Sequence, residues 1–290
     1  MIFMKFARFL QYRKIELLNT ILLTRRINSK KVAIWLLIDL LIKWFTYPIS
    51  STRIIKIVNE HLHKIISKCI LSNRAFYFDK SLNLIYLVPD LEALNVLSPY
   101  FELENMHEVL SQVKNKHKGL FIDVGAHIGK YCLLMAKLKP SWQVVCVEPA
   151  KLNYHVLKYN VVLNRMRNIV LLNVALSDTR GEISLYLSEY SGRHTIKRPI
   201  KHVSVQRVQA LTLDDIVRTY GCPDIIKIDV EGAEVDVLKG GIECLDKCSP
   251  AILIEFRKDT YYALKHLLTK FSYVCFKTRP DYMFCHKSLD

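Results

Sequence analysis

The chain has 290 residues, 42 Lys and Arg against 27 Asp and Glu, a formal net charge of +15 and 51% apolar residues. This composition excludes disorder, collagen and coiled coil as the main state, and it suits one α/β domain with an appendage. Eight cysteines contain no C-x-x-C pair and several lie in apolar runs, so the expectation is buried free thiols in a reducing compartment and a cytoplasmic location.

Residues 1–75 carry 14 Lys and Arg against three acids, which leaves a near-neutral remainder. Such a basic, helical extension seeks anions: membrane headgroups, nucleic acid or an acidic substrate. The first ten residues contain no apolar run long enough for a signal peptide. The stretch Val32 to Phe45 is short for a membrane span and contains Asp39 and Lys43. Its apolar gain of about 3 to 5 kcal/mol is offset by about 2.5 to 3.5 kcal/mol for each charge. Asp39 and Lys43 can pair on one helix face, and Trp35 and Trp44 flank the run. A helix lying in a membrane interface and a helix packed on protein are both open.

Residues 76–118 read as a lead-in or lid, with a small hairpin within 75–88 and a helix over 106–115. From residue 119 the pattern becomes strand then helix, repeated: strands at 119–125, 143–148, 169–176, 224–230 and 251–256, with an edge excursion at 182–187 and a strand near 203–208. Thr212-Leu-Asp-Asp215 has the form of a capped helix start. The last two strands, 273–276 and 282–286, are too close for a crossover helix and must form an antiparallel hairpin.

Chemistry-bearing residues gather at strand ends, where open α/β sheets bind ligands. Asp123-Val-Gly-Ala-His-Ile-Gly129 ends the first strand; Gly125 and Gly129 let backbone approach a ligand, and the helix that follows offers free amides. Its G-x-x-x-G spacing is neither the dinucleotide fingerprint nor a Walker A loop, which weakens NAD and ATP. Glu148 ends the second strand, where a carboxylate can accept from both ribose hydroxyls. Asn173 to Asp178 ends the third with groups suited to an adenine edge. Lys227-Ile-Asp-Val-Glu-Gly-Ala-Glu234 ends the fourth and places Asp229, Glu231 and Glu234 around a glycine.

Together, Asp-Val-Gly-Ala-His-Ile-Gly, Val-Glu-Pro, Ala-Leu-Ser-Asp, Leu-Thr-Leu-Asp-Asp and Ile-Lys-Ile-Asp-Val-Glu-Gly-Ala-Glu resemble the FkbM-type S-adenosylmethionine-dependent methyltransferases over about residues 118–287. The resemblance implies a Rossmann-like class I fold, with a mostly parallel seven-stranded sheet and a reversed final strand over residues 119–290. It also implies O-methylation of a sugar, glycan or natural-product hydroxyl. Asp123, Gly125, His127 and Gly129 would line the methionine part of S-adenosylmethionine, Glu148 the ribose, and Ser177 with Asp178 the adenine edge. His127 stands where the family usually has Asn, and it retains a hydrogen-bonding side chain.

Asp229 is the first candidate for the base that receives the acceptor's proton, with Glu231 and Glu255 as substitutes. The same carboxylates could instead hold a divalent metal, though a metal-free site is preferred. Two alternatives stay open: ribose 2′-O-methylation of RNA, and a non-enzymatic basic module binding membrane or nucleic acid. Acceptor specificity is expected in residues 76–118 and 188–202, which carry no readable code.

Overall fold

The computed structural model describes residues 26–46, 65–70, 75–98 and 101–288, and the chain divides into two units, residues 1–101 and 102–290. In the first, helix α1 (Lys30–Thr46) buries Val32, Leu36 and Leu40 at a four-residue spacing that forms one helical stripe. Ile34, Leu37 and Leu41 stay exposed on it. Strands β1 (Phe76–Asp79) and β2 (Leu84–Leu87) form the expected hairpin. Helix α2 (Leu91–Val96) follows, its first turn capped by the Asp90 carboxylate accepting from the Ala93 amide. Among the described residues no helix is long and apolar enough to cross a membrane. The Asp39–Lys43 pairing, Trp44 and the first ten residues lie outside the described residues or side chains.

The second unit opens with helix α3 (Leu103–Val113), three residues earlier than the sequence indicates, and then builds the α/β core. Its elements are β3 (Leu120–Val124), α4 (Lys130–Leu138), β4 (Gln143–Val147), α5 (Lys151–Leu163), β5 (Ile169–Leu172), β6 (Ala175–Leu176), β7 (Gly181–Leu187), β8 (Ser204–Leu211), α6 (Leu213–Tyr220), β9 (Ile225–Ile228), α7 (Glu234–Lys239), β10 (Ala251–Glu255), α8 (Tyr261–Lys270), β11 (Tyr273–Lys277) and β12 (Tyr282–Lys287). Seven strands make one sheet in the order β11-β12-β10-β9-β3-β4-β5. All neighbours are parallel except the final hairpin, whose β12 runs antiparallel to both β10 and β11. The central strands β3 and β9 are buried along their whole length, as continuous apolar runs in a sheet covered on both faces require.

The run 169–176, read as one strand, is two. It breaks at Asn173, whose side-chain amide donates to the carbonyls of Glu148 (2.8 Å) and Pro149 (3.0 Å). Beyond the break, β6 leaves the main sheet and joins a separate three-stranded sheet, β6-β8-β7. Helix α6 starts with a reciprocal capping box, in which the Thr212 hydroxyl accepts from the Asp215 amide and the Asp215 carboxylate from the Thr212 amide.

The free-thiol expectation is overturned. Cys132–Cys146, Cys222–Cys248 and Cys275–Cys285 are disulfides, while Cys244 is buried and unbridged. Chain spacing hides these pairs because folding creates them: Cys132 on α4 meets Cys146 on β4, and Cys275 lies directly across the hairpin from Cys285. The cysteine argument for a reducing compartment is therefore withdrawn.

Candidate active site

Because β3, β4, β9 and β10 are parallel neighbours, their carboxyl ends share one edge of the sheet. The residues that follow them build the site. After β3 the chain turns sharply, with the amides of Gly125 and Ala126 both donating to the Val147 carbonyl. Gly125 has φ +84°, and a Cβ there would lie 1.8 Å from the Asp229 carbonyl oxygen. No side chain fits between these two loops. His127 holds φ +51°, a left-handed conformation unusual for a residue with a side chain.

Glu148, buried at the end of β4, is fixed by amides from three directions. It accepts from the backbone of His127 (2.8 Å) and Ala150 (3.0 Å) and from the Asn153 side chain (3.5 Å). Burial raises its pKa to about 7, against these hydrogen bonds, which favour the ionised form. The His127 ring lies 2.8 Å from the Ser191 hydroxyl, and the Asn153 amide donates to the Ser191 carbonyl at 2.8 Å. Asn153 and Ser191 thus belong to the same cluster, although their sequence surroundings give no signal for either.

The second cluster stands at the ends of β9 and β10. Lys227, 4% exposed, places its ammonium 3.1 Å from Asp229 Oδ2 and 3.6 Å from Asp123 Oδ1, and 5.2 Å from the centre of the Tyr131 ring. The Tyr131 hydroxyl donates to Glu102 (2.9 Å), and the Tyr282 hydroxyl donates to Asp229 (2.7 Å). Burial pushes the Asp229 carboxyl up, but the Lys227 charge and the hydrogen bonds to Tyr282 and Lys227 outweigh it and leave the pKa below the ordinary value. Glu255 goes the other way: burial, then the neighbouring charges of Asp229, Glu231 and Glu234, push it up to about 10, so it keeps its proton at neutral pH. Asp123 is raised to about 6, by burial against the pull of Lys227.

Glu231, at φ +57°, pairs with Arg257 at 2.7 Å, and burial raises it to about 7. Glu234 turns back to accept from the Val230 and Gly232 amides, which fixes the loop carrying Asp229 and Glu231. Oxygens of Asp229, Glu231 and Glu255 all lie within 4.8 Å of one another, close enough for a cation to bridge. Two of the three carboxylates already face a protein cation, Lys227 at Asp229 and Arg257 at Glu231.

The structure therefore brings together Asp123, Gly125, His127 and Glu148 on one side and Asp229, Glu231 and Glu255 on the other, with Lys227 joining Asp123 to Asp229. Gly129, at φ +96°, caps the start of α4. Ser177 and Asp178 follow β6, in the three-stranded sheet. There the Ser177 amide donates to the Leu211 carbonyl and its hydroxyl to Asp178 (3.2 Å). Asn173 is the residue of that segment that reaches the Glu148–Pro149 backbone.

Known proteins identify the family of the chain. The family described as Methyltransferase FkbM domain matches residues 123–277. Methyltransferase sdnD of Sordaria araneosa is 27% identical over 188 residues, covering 53% of this chain and 71% of that protein. The 2-O-methyltransferase NoeI of Sinorhizobium fredii (strain NBRC 101917 / NGR234) is 30% identical over 161 residues, covering 49% of this chain and 65% of that protein. The chain thus spans about two thirds of the length of these curated relatives. A crystal structure of methyltransferase FkbM from Methylobacillus flagellatus KT aligns at 16% identity with a TM-score of 0.44, over 78% of this chain and 60% of that one.

Proposed function

The chain belongs to the methyltransferase FkbM family, and from that premise we propose that it transfers a methyl group from S-adenosylmethionine to a hydroxyl of a sugar, glycan or small natural product. The observation that carries this reading is the shared mouth. A buried, amide-fixed carboxylate suited to a ribose (Glu148) and a partly open carboxylate suited to an acceptor proton (Asp229, 25% exposed) both end parallel strands of one sheet. The name of the relative NoeI supports a hydroxyl acceptor.

The residues fit the cofactor. Gly125 keeps the first loop free of side chains, and Asp123, Gly125, His127 and Gly129 would hold its methionine part. Glu148 would hold the ribose, with Asn173, Ser177 and Asp178 serving the adenine side. Bound S-adenosylmethionine supplies an already electrophilic methyl carbon, so the chain's own task is to orient a hydroxyl, exclude water and receive its proton. Asp229 receives that proton, with Glu231 as the neighbouring alternative; Glu255, expected from the sequence as a second substitute, keeps its own proton at neutral pH and does not serve. Lys227 keeps Asp229 ionised and Tyr282 fixes its orientation. With Lys227 and Arg257 already facing the carboxylates, the reading needs no divalent metal.

Calorimetric titration of S-adenosylmethionine and S-adenosylhomocysteine tests the cofactor. Micromolar binding is expected, weakened about tenfold or more in Glu148→Ala, since hydrogen bonds to a charged group contribute about 1.5 to 3 kcal/mol. Affinity also weakens as the pH falls through 7, because the acceptor is the ionised form of a carboxyl with a pKa of about 7. Absence of binding to either ligand sinks the reading and leaves a basic binding module.

The exposed apolar stripe of α1, beside the exposed Lys30 and Lys31, supports a peripheral contact of residues 1–75 with an anionic membrane. Flotation with anionic liposomes is expected for the full chain and not for a Lys30→Glu, Lys31→Glu, Leu37→Asp, Leu41→Asp variant. Equal flotation of both removes that contact.

A further inference from the structure

Between β7 and β8 the chain makes a 16-residue excursion, residues 188–203, that touches the cofactor side of the site and the helix that follows the Asp229 loop. On the cofactor side, Ser191 meets His127 and Asn153. The chain then returns to its own sheet, where Thr195 pairs with Tyr186. Lys197 next makes an ion pair with Asp236 on α7, the helix that follows the Asp229–Gly232 loop. Finally Val203 donates to the Leu187 carbonyl, closing the excursion where it began. These anchors make the segment a strap from the Glu148 side of the mouth to α7, the helix that follows the Asp229 loop.

The strap is basic, with Glu189 near its start as its one acid. Arg193, Lys197, Arg198 and Lys201 lie in it, and no Asp or Glu occurs from Ser191 to Gln206. Lys197 is used by Asp236, and the Arg193 guanidinium lies 4.7 Å from the Tyr190 ring centre. Arg198 and Lys201 are exposed and make no ion pair among the described residues. Across the mouth the charges are already matched: Lys227 faces Asp229, Arg257 faces Glu231, and Glu255 keeps its proton.

A neutral sugar would gain nothing from this contrast. An acceptor with an anionic end would be turned by it: the unpaired cations of the strap attract the anion, while the cations at the ends of β9 and β10 are already taken, which leaves the free hydroxyl toward Asp229. Arginine can grip a phosphate through two parallel hydrogen bonds, and lysine binds it as a point charge.

We infer that residues 188–203 are the acceptor-recognition element, and that the acceptor is a sugar carrying a phosphate or diphosphate, held by Arg198 and Lys201. This rests on the methyltransferase reading and narrows its acceptor. The phosphate could belong to a nucleotide-linked or a lipid-linked sugar, which share the same recognition chemistry.

The test uses the full chain saturated with S-adenosylhomocysteine. Binding is measured for uridine diphosphate N-acetylglucosamine, for a short-prenyl diphosphate N-acetylglucosamine in neutral detergent, and for the neutral methyl glycoside of the same sugar. At least one diphosphate sugar is expected to bind tenfold or more tightly than the neutral glycoside, with affinity falling as salt rises. An Arg198→Glu, Lys201→Glu variant is expected to lose that preference while binding S-adenosylhomocysteine with unchanged affinity. The stronger of the two diphosphate ligands identifies the source.

Equal binding of the neutral glycoside, an unaltered preference in the double variant, or no binding of any sugar by the cofactor-loaded protein overturns the inference and leaves the methyltransferase reading intact. Phosphatidylglycerol vesicles replace the sugars in a last arm. Vesicle binding that the variant loses, without sugar binding, would make the strap a membrane contact and also overturn the inference. Failure to bind S-adenosylhomocysteine overturns the broader reading, and the acceptor assignment with it.

Discussion

Lys227→Met is expected to cost the fold about 3 to 5 kcal/mol, the range for removing one partner from a buried ion pair. The side chain is 4% exposed and stands between Asp123 and Asp229, so its loss leaves two carboxylates facing each other with no cation between them. A methionine of similar length fills the space, which separates the charge effect from a cavity effect. The loss should depend on pH in a definite direction. In the native protein Asp229 lies below its ordinary pKa, so it stabilises the fold above about pH 4, and that contribution fades as the pH falls further. Without Lys227, burial dominates: the folded pKa of Asp229 rises above the unfolded value, and that of Asp123 rises from about 6. The folded variant then holds more protons than the unfolded chain from about pH 4 upward, so its stability declines as the pH rises. Urea unfolding at pH 5 and pH 8.5 should show a small deficit at the first and the full deficit at the second. An equal deficit at both would mean that Lys227 acts through packing alone.

Lys227 also marks where the sequence was legible and where it was not. Its segment, Ile225 to Glu234, could be read as a strand ending in acids, because an apolar run that stops at clustered carboxylates is a local pattern. The terminal hairpin and the carboxylate that ends β4, Glu148, were legible for the same reason: each is announced by neighbours in the chain. A lysine inside a continuous apolar strand was itself a signal that went unused, since a buried ammonium requires counter-charges and two aspartates stood at neighbouring strand ends. Tyr282, Tyr131 and Glu102 offered no such signal, because their relation to Asp229 and Lys227 exists only once the sheet is ordered. The same holds for Ser191, which reaches His127 from 64 residues away.

One of the three disulfides, Cys275–Cys285, shows why spacing and apolar surroundings did not disclose the pairs. Pairing the hairpin by its apparent ends, Phe276 with Tyr282, sets Cys275 opposite Met283. The actual turn is two residues tighter and sets Cys275 opposite Cys285. A shift of two residues keeps every side chain on its face, so the apolar pattern is blind to it.

Asp229→Asn is expected to lower kcat by about 10² to 10⁴, the usual range for a positioned base, with cofactor affinity within a few-fold of native. Asparagine keeps the shape and can still accept from Tyr282, but it cannot take a proton. The pH profile of the native enzyme decides whether Asp229 or a neighbour is the base. Because Asp229 stays ionised well into the acid range, kcat at saturating cofactor should remain flat from pH 8 down to about 5. Over the same range the apparent cofactor affinity should weaken below about pH 7, as Glu148 takes up its proton. A kcat that itself falls with a midpoint near 7 would point to Glu231, whose pKa is also about 7. In that case Glu231→Gln, not Asp229→Asn, would carry the larger loss. Glu255 holds its proton up to about pH 10 and is already occupied where the other two are free. Its expected part is to share that proton with Asp229, so Glu255→Gln should reduce kcat less than Asp229→Asn. The three variants, each assayed across pH at saturating cofactor, therefore rank the carboxylates by their capacity to receive the acceptor's proton.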